Sequence, residues 1–449
     1  MPRALPNLAT TVAFAAMVAA LALATPAVAN GNHAHESISL RAIDHLPTGP
    51  LRALLADPLL REALMNGTIF PDGGYVIGHG YGETAHWEPY QRALLHHLRK
   101  THPQLENDAV ARPKLAFLLG MFSHGMADQV YDALFMDTAK VLDKAGWSDE
   151  LLSSFDTATD VFLVAQAGPS PIPLPWLPMQ DILAVFAQRG EPVPEDTLSD
   201  AQATLTQAVL VFPKLKAQSA AGFDDLRQRY PWAWQHLLDP AEPGNPLCEA
   251  RIVALYWQQV WDELHGAAPL VRVLATVPSE GGVHGWHQVG QPQSKLAVVL
   301  SRGIDQAKLA TDALVVRNAK GQVLPATVNL FYGQNSNVIR LVPTQDWPVG
   351  QPLTLELKAG VAAYDGVLSA KGEVFKFSVG ATSTQEPGLP PKGSPWQLAS
   401  TLPNNPTPVM ADKDAGGCGA GTTQPELPGW IFGLVAVVIL GCVRRSFWS

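Results

Sequence analysis

The chain has 449 residues, of which 47% are hydrophobic and only 16% are charged, and this composition excludes an intrinsically disordered protein. Its length is sufficient for two or three folded domains. The formal net charge of −9 argues against a nucleic-acid partner, because such a partner would require a basic face. A phosphodiester substrate is not excluded, since bound cations would reverse the sign of the local field.

Residues 1–29 are typical of a signal peptide. Arg3 precedes the apolar segment Thr11 to Ala24, and residues 27–29 (Ala-Val-Ala) fit the small-x-small cleavage pattern. Cleavage there would make Asn30 the mature N-terminus. An uncleaved membrane anchor is the alternative, but the apolar segment is short for a span. The sequence therefore predicts an exported protein, either secreted or held at the cell surface.

The apolar residues between 30 and 265 follow a helical period. They recur at three- and four-residue spacing from Arg92 to Lys100 and from Lys114 to Lys140. Loops are predicted at residues 71–74 (Pro-Asp-Gly-Gly) and in the proline-dense segment 169–178. This part of the chain is therefore predicted to be a mainly α-helical domain.

Residues of metal-ligand type occur where this helical pattern calls for apolar ones. His124 and Asp128 are four residues apart in an apolar helix, so their side chains lie one turn apart, as two ligands of one metal must. Asp132 continues the row, and Asp156 and Asp160 repeat the spacing on a further helix. The other residues of this type lie in separate segments: His35, Asp72 and His86.

Each of these residues alone has an ordinary explanation, such as a hydrogen-bonded core histidine or an aspartate that caps its own turn. Their co-occurrence favours a metal site, because buried carboxylates need a counter-charge. Cysteine ligands are not expected. Of the three cysteines, Cys418 and Cys442 lie near the C-terminus and Cys248 is isolated, so histidine and carboxylate must hold any metal.

Residues 270–380 have the short alternating segments of an all-β structure, separated by turn signals such as those at 333–335. We expect an antiparallel sandwich. The motifs VPSEGG, SRGID and LKAGVAAYDGVLS resemble a bacterial Ig-like domain of surface-layer proteins. Nothing in this part predicts catalysis, which favours a spacer or docking module. The predicted strands are Leu296 to Leu300, Ala313 to Arg317, Val338 to Val342 and Leu353 to Leu357.

The C-terminal part is predicted to be a linker followed by a sorting tail. Residues 383–415 are rich in Pro, Ser, Thr and Asn, which favours an extended linker. In the tail, 416–449, Cys418, the apolar segment Trp430 to Val443 and the arginine pair 444–445 resemble the tripartite sorting tails of bacterial surface proteins, especially the myxobacterial type. An ordinary C-terminal membrane helix is the alternative. Both predict that most of the protein lies outside the cell.

The helical part resembles the zinc-dependent phospholipase C family, which includes the N-terminal domain of glycosylphosphatidylinositol-specific phospholipase D. The shared motifs are a His-x-x-Ile-x-x-Arg-Ala opening at 35–42, Gly-Thr-Ile-Phe-Pro-Asp at 67–72 and Thr-Ala-His-Trp at 84–87. A fourth is the Ala-Phe-Leu-x-Gly-x-x-Ser-His helix at 116–124. The predicted architecture is thus a phospholipase C-like helical domain followed by a small Ig-like sandwich.

This resemblance implies a cluster of up to three zinc ions. His35 and the α-amino group of Asn30 would bind one ion, and Asp128 would bridge to a second. The second ion would be completed by Asp72, His86 and His124. The remaining acidic residues (Asp132, Asp156 and Asp160) stand where the family has two histidines and one acidic residue. An all-carboxylate set suits magnesium, calcium or manganese better than zinc, so we expect two zinc ions and a third site that is weak, empty or filled by a harder metal.

The resemblance also implies the reaction. Metal-activated water would cleave a phosphodiester bond in a phospholipid or lipid anchor at a membrane surface, and Asp72 would orient or deprotonate that water. One alternative is a non-catalytic surface-binding module with a degraded metal site. Another is a nuclease that uses a similar three-zinc cluster. The sequence does not distinguish C-type from D-type cleavage.

Overall fold

The computed structural model describes residues 30–143, 149–218, 220–240, 242–284, 296–332 and 335–380, all within one compact unit, Pro26–Leu402. The predicted signal peptide, linker and sorting tail lie outside the described residues. None of the helices in the described ranges is both long and apolar enough to cross a membrane.

The helices occupy the first part of the described chain, as the periodicity predicts. A π-helical turn (Tyr131–Met136) directly follows the helix that ends at Val130, and a second one (Leu205–Val209) follows the helix that ends at Thr204. The α-helices are α1 (Asn32–His45), α2 (Pro50–Ala56), α3 (Pro58–Ile69), α4 (Asp72–Val76), α5 (Tyr81–His86), α6 (Glu88–Thr101), α7 (Ala111–Val130), α8 (Asp137–Leu142), α9 (Asp149–Ala167), α10 (Met179–Gln188), α11 (Glu195–Thr204), α12 (Val211–Gln218), α13 (Ala220–Arg229), α14 (Pro231–His236) and α15 (Pro246–Leu264).

Helix α7 is the centre of the helical part. It is mostly apolar, and it is buried along nearly its whole length against α1, α3, α6 and α15. Two glycines allow the close crossing with α3. A Cβ on Gly120 would lie 2.2 Å from the carbonyl oxygen of Leu64, and one on Gly67 would lie 1.9 Å from that of Phe117. Only glycine allows the two backbones to approach so closely.

The strands form two sheets after residue 270. One sheet has the order β1-β3-β7-β6 and the other β2-β9-β8-β4-β5. All four predicted strands are confirmed. The pairing is antiparallel apart from the short β2, which runs parallel to β9. The strands are β1 (Val273–Val277), β2 (Val283–His284), β3 (Leu296–Ile304), β4 (Leu314–Arg317), β5 (Val323–Leu324), β6 (Ala326–Leu330), β7 (Ser336–Pro343), β8 (Pro352–Leu357) and β9 (Glu373–Val379).

Strand β3 is buried on both faces, and this joins the two parts of the molecule. Leu296, Val298 and Leu300 face the core that the two sheets share. Ala297 and Val299, which alternate with them, belong instead to the core of the helical part. Because successive side chains of a strand point to opposite faces, the four-stranded sheet is a layer between the helices and the second sheet.

Candidate metal centre

Five of the predicted ligands come together from four segments of the helical part. They lie in the first turn of α1, at the first residue of α4, at the last residue of α5 and on one face of α7. All of them are buried, with at most 6% of the residue surface exposed: His35, Asp72, His86, His124 and Asp128.

Asp128 lies at the centre of the group. Its Oδ1 is 3.0 Å from His35 Nε2. Its Oδ2 is 3.1 Å from His124 Nε2 and 3.6 Å from His86 Nε2. The two carboxylate oxygens therefore face different histidines, which is the arrangement that a carboxylate bridging two cations requires.

Asp72 closes the other side of the group. Its Oδ1 lies 3.3 Å from His86 Nε2 and 3.7 Å from His124 Nε2. The imidazole rings of His35 and His124 stack with centroids 3.9 Å apart. Asp72 thus shares two histidines with Asp128, so that the two carboxylates enclose the imidazole nitrogens.

Backbone carbonyls orient two of the histidines. His86 Nδ1 lies 2.6 Å from the carbonyl oxygen of Gly82, and His124 Nδ1 lies 2.7 Å from that of Thr68. Each Nδ1 therefore donates its proton to the backbone carbonyl, and each Nε2 is directed at the carboxylates. Metal-binding histidines are oriented in this way in proteins. The α3–α7 crossing at Gly67 and Gly120 brings the Thr68 carbonyl within reach of His124.

The histidines and carboxylates of the group shift one another's pKa values. Burial acts to raise the pKa of Asp128, but His124 and His35 outweigh it and lower that pKa below its usual value. Burial likewise acts against an ionised Asp72, and His124 and His86 again lower the pKa. Burial acts to lower the pKa of His86, but the hydrogen bond to Asp72 raises it above its usual value. The cluster thus favours ionised carboxylates.

Unsatisfied polar atoms in the group fit a bound cation. Within the described ranges, His124 Nε2 and both oxygens of Asp128 are buried and have no hydrogen bond of acceptable geometry. Buried groups of this kind need an explanation such as an ion. Two sets bring ligand atoms within 4.8 Å of one another: His35 with Asp72 and His124, and His86 with His124 and Asp128. The donor set therefore fits a metal ion.

Asp160 lies at the N-terminus of α1. Its carboxylate accepts hydrogen bonds from the backbone N–H groups of His33 (3.1 Å) and Ala34 (2.8 Å), and burial raises its pKa to about 7. A Cβ on Gly31 would overlap this carboxylate, at 2.2 Å from its Cγ. Asp160 therefore caps the helix that carries His35, and its role as a ligand stays a prediction.

Asp132 and Asp156 lie close enough to interact electrostatically. Burial, followed by the nearby carboxylates of Asp128 and Asp156, raises the pKa of Asp132 well above its usual value. Among the described residues, Asp132, Asp156 and Asp160 lie outside the two sets whose ligand atoms converge. The π-helical turn that begins at Tyr131 widens the helix, so Asp132 does not simply continue the row of His124 and Asp128.

Two further features near the site were not predicted. Glu249, on α15, is fully buried and accepts a hydrogen bond from the side chain of Asn30 at 2.9 Å. Glu83 accepts hydrogen bonds from Tyr75 (2.5 Å) and Trp87 (2.7 Å), and the ring of Tyr75 lies 4.8 Å from that of His86. The sequence signal for Glu249 was an acidic residue on the apolar face of a helix.

The fold and site define a mainly helical protein with a buried His/Asp group that could hold a metal. Part of the chain is similar to phosphatidylinositol-glycan-specific phospholipase D. The rat protein is 28% identical over 170 residues, which are 35% of this chain and 20% of that protein. The bovine and human proteins are each 28% identical, over 174 and 170 residues. The chain thus matches about a fifth of the length of these relatives.

Comparisons with protein-family models and with solved structures do not identify the fold. No protein-family model matches the chain. Among solved structures, the crystal structure of the S-layer protein SbsC matches 66% of this chain and 46% of that one. Its TM-score of 0.21 at 8% identity is too low to indicate a common fold. About a third of the chain is similar to a phospholipase D, and the Ig-like character of the sandwich stays a prediction.

Proposed function

We propose that this protein is a metal-dependent hydrolase that cleaves phosphodiester bonds in phospholipids or related lipid anchors. The observation that carries the proposal is the buried group around Asp128, whose two oxygens face His35 on one side and His124 and His86 on the other. The similarity to phosphatidylinositol-glycan-specific phospholipase D supports a lipid substrate.

The donor set favours zinc at this group, because imidazole and carboxylate are common zinc ligands. Bound zinc would supply a Lewis acid and would lower the pKa of water. Asp128 would be shared by two ions, with His35 on one side and His124, His86 and Asp72 on the other. Asp72 would also orient the attacking water and accept its proton. Asp72 and His86 are each 6% exposed, whereas His35 and His124 are fully buried, so Asp72 lies on the more accessible side of the group.

The helical part would belong with the zinc-dependent phospholipase C family, and the protein would be exported and act at a membrane surface. The α-amino group of Asn30 would be a further zinc ligand after signal-peptide cleavage. The structure places the buried Asn30 beside the first turn of α1, which carries His35. Any third ion would be weakly bound or would be a harder metal such as magnesium, calcium or manganese, because only carboxylates would coordinate it.

Chelation and substrate choice test the proposal. We expect the purified full chain to hydrolyse phosphatidylcholine vesicles or release a glycosylphosphatidylinositol-anchored protein, to lose this activity on removal of metal and to recover it with zinc. Single-stranded DNA is the control substrate. Hydrolysis of DNA alone would favour the nuclease. A metal-loaded protein that cleaves none of these three substrates would favour the non-catalytic binding module. The acidic residues Asp132, Asp156 and Asp160 in place of the usual third-site ligands are the sequence feature that favours this alternative.

A further inference from the structure

The two sheets formed by β1 to β9, called here the β region, contact α7 through the turn between β6 and β7. Tyr332, on this turn, donates a hydrogen bond from its hydroxyl to Asp132 Oδ2. Its ring also packs edge-on against the indole of Trp87, with centroids 5.2 Å apart. Trp87 directly follows His86, so Tyr332 contacts a predicted ligand and a residue adjacent to a second one.

Buried hydrogen bonds fix the position of this turn relative to α7. Asn337, at the start of β7, receives the side chain of Gln129: its N–H donates to Gln129 Oε1 at 2.6 Å, and its Oδ1 accepts from Gln129 Nε2 at 3.1 Å. Both residues are about 2% exposed. Gln129 directly follows Asp128. The β region is therefore fixed to the helix at the residue beside the central ligand.

A second anchor lies beyond Asp132. Arg340, on β7, donates a hydrogen bond to Asp137 at 2.6 Å, and its guanidinium lies 4.5 Å from the ring centre of Phe331. Together with Gln129–Asn337, this contact brackets the π-helical turn that carries Asp132. The hydroxyl of Tyr332 can therefore hold a fixed position relative to that carboxylate.

The hydrogen bond leaves Asp132 with one oxygen for another partner. Asp132 is only 1% exposed, and within the described ranges its Oδ1 has no hydrogen-bond partner. Because Tyr332 occupies Oδ2, the carboxylate cannot turn freely, and Oδ1 is held in the buried acidic region that also contains Asp156. An outer hydrogen bond of this kind orients metal-binding carboxylates in proteins.

We propose that Tyr332, supplied by the β region, is a positioning residue that orients Asp132 for a cation at the edge of the metal centre. This inference rests on the proposed function in one respect: it requires that the site bind a metal ion. It does not require that the protein hydrolyse phosphodiesters. It also changes the expected role of the β region. The sandwich is part of the functional unit rather than a spacer, in agreement with the packing of Ala297 and Val299 against the helices.

The test compares the full chain with Tyr332→Phe, which removes only the hydroxyl. Zinc and manganese affinities are measured by competition with a chromogenic chelator, alongside kcat and KM on phosphatidylcholine vesicles and unfolding of the metal-free protein. We expect the weakest-bound ion to lose about 10-fold in affinity, as is typical when a residue that hydrogen-bonds to a metal ligand is changed. We also expect kcat to fall at unchanged KM, with unchanged unfolding temperature.

Tyr364→Phe is the matched control. Tyr364 is also a half-buried tyrosine of the β region, but it lies near Glu88 and Arg302 rather than the ligands. It should leave metal affinity unchanged. In an Asp132→Asn background, Tyr332→Phe should have no further effect, since its partner is already altered.

Unchanged metal affinity in Tyr332→Phe, an equal loss in Tyr364→Phe, or additive losses with Asp132→Asn would each overturn the inference. The proposed function fails in a different way. If the wild-type chain binds metal and Tyr332→Phe weakens that binding, but neither cleaves vesicles, then the positioning role stands and the hydrolase proposal is wrong.

Discussion

Asp128→Asn is expected to abolish metal binding at the group around Asp128 and to reduce vesicle hydrolysis by well over 100-fold. The substitution keeps the shape of the side chain but removes the charge that faces His35 on one side and His124 and His86 on the other. Loss of a residue that only hydrogen-bonds to a metal ligand already lowers metal affinity or activity by about 10- to 100-fold, so loss of a shared ligand should lower them further. Metal analysis and single-turnover hydrolysis measure both effects.

His97→Ala is the control for this result. His97 is also partly buried and paired with a carboxylate, since its Nε2 lies 3.2 Å from Asp181 Oδ1, but it lies outside the convergent sets. It should retain metal and activity. Circular dichroism of the metal-free Asp128→Asn protein verifies that it is folded. Full metal occupancy in a folded Asp128→Asn variant would show that the group around Asp128 is not the metal site.

Gly120→Ala is expected to destabilise the protein by about 3 kcal/mol, the upper end of the usual cost of overpacking a core. The added Cβ would lie 2.2 Å from Leu64 O and 2.7 Å from Thr68 N, so α3 must move away from α7. Alanine is favoured over glycine in a helix by about 1 kcal/mol, which is too little to compensate. The same movement would draw the Thr68 carbonyl away from His124, so zinc affinity should fall with stability.

Gly80→Ala separates this close approach from a general effect of losing a glycine. A Cβ there would meet no atom within 4 Å, and the backbone at Gly80 has φ −65°, which alanine adopts without strain. Its unfolding free energy should change by less than about 0.5 kcal/mol. Denaturant titration of both variants gives the comparison. A Gly120→Ala protein as stable as Gly80→Ala would mean that the α3–α7 crossing is not close-packed.

The elements of the fold were largely predictable because their periods are strong. The helical spacing from Lys114 to Lys140 corresponds to α7, its π-helical turn and α8. The alternation at Leu296 to Leu300 corresponds to β3, but alternation alone could not show that both faces of this strand are buried. That depends on which surface covers the second face, and here the helical part covers it.

The candidate site was predictable to the extent that its ligands repeat a local spacing or occur in recognisable motifs. His124 and Asp128 are neighbours on one helix by geometry alone. Contacts made across the fold left no local signal. Tyr332 reaches Asp132 across 200 positions of sequence, and the capping of α1 by Asp160 spans more than 120. In sequence, the spacing of Asp160 from Asp156 resembles that of a ligand pair.

Anomalous X-ray scattering at the zinc absorption edge, from crystals of the zinc-loaded protein, tests the central claim most directly. We expect a strong peak enclosed by His86, His124, Asp72 and Asp128, and a second peak on the His35 side of the Asp128 carboxylate. Any peak at Asp132 should be weaker than both. Crystals with no anomalous density among these five side chains, or with zinc only at surface histidines such as His96, would show that this group is not the zinc site.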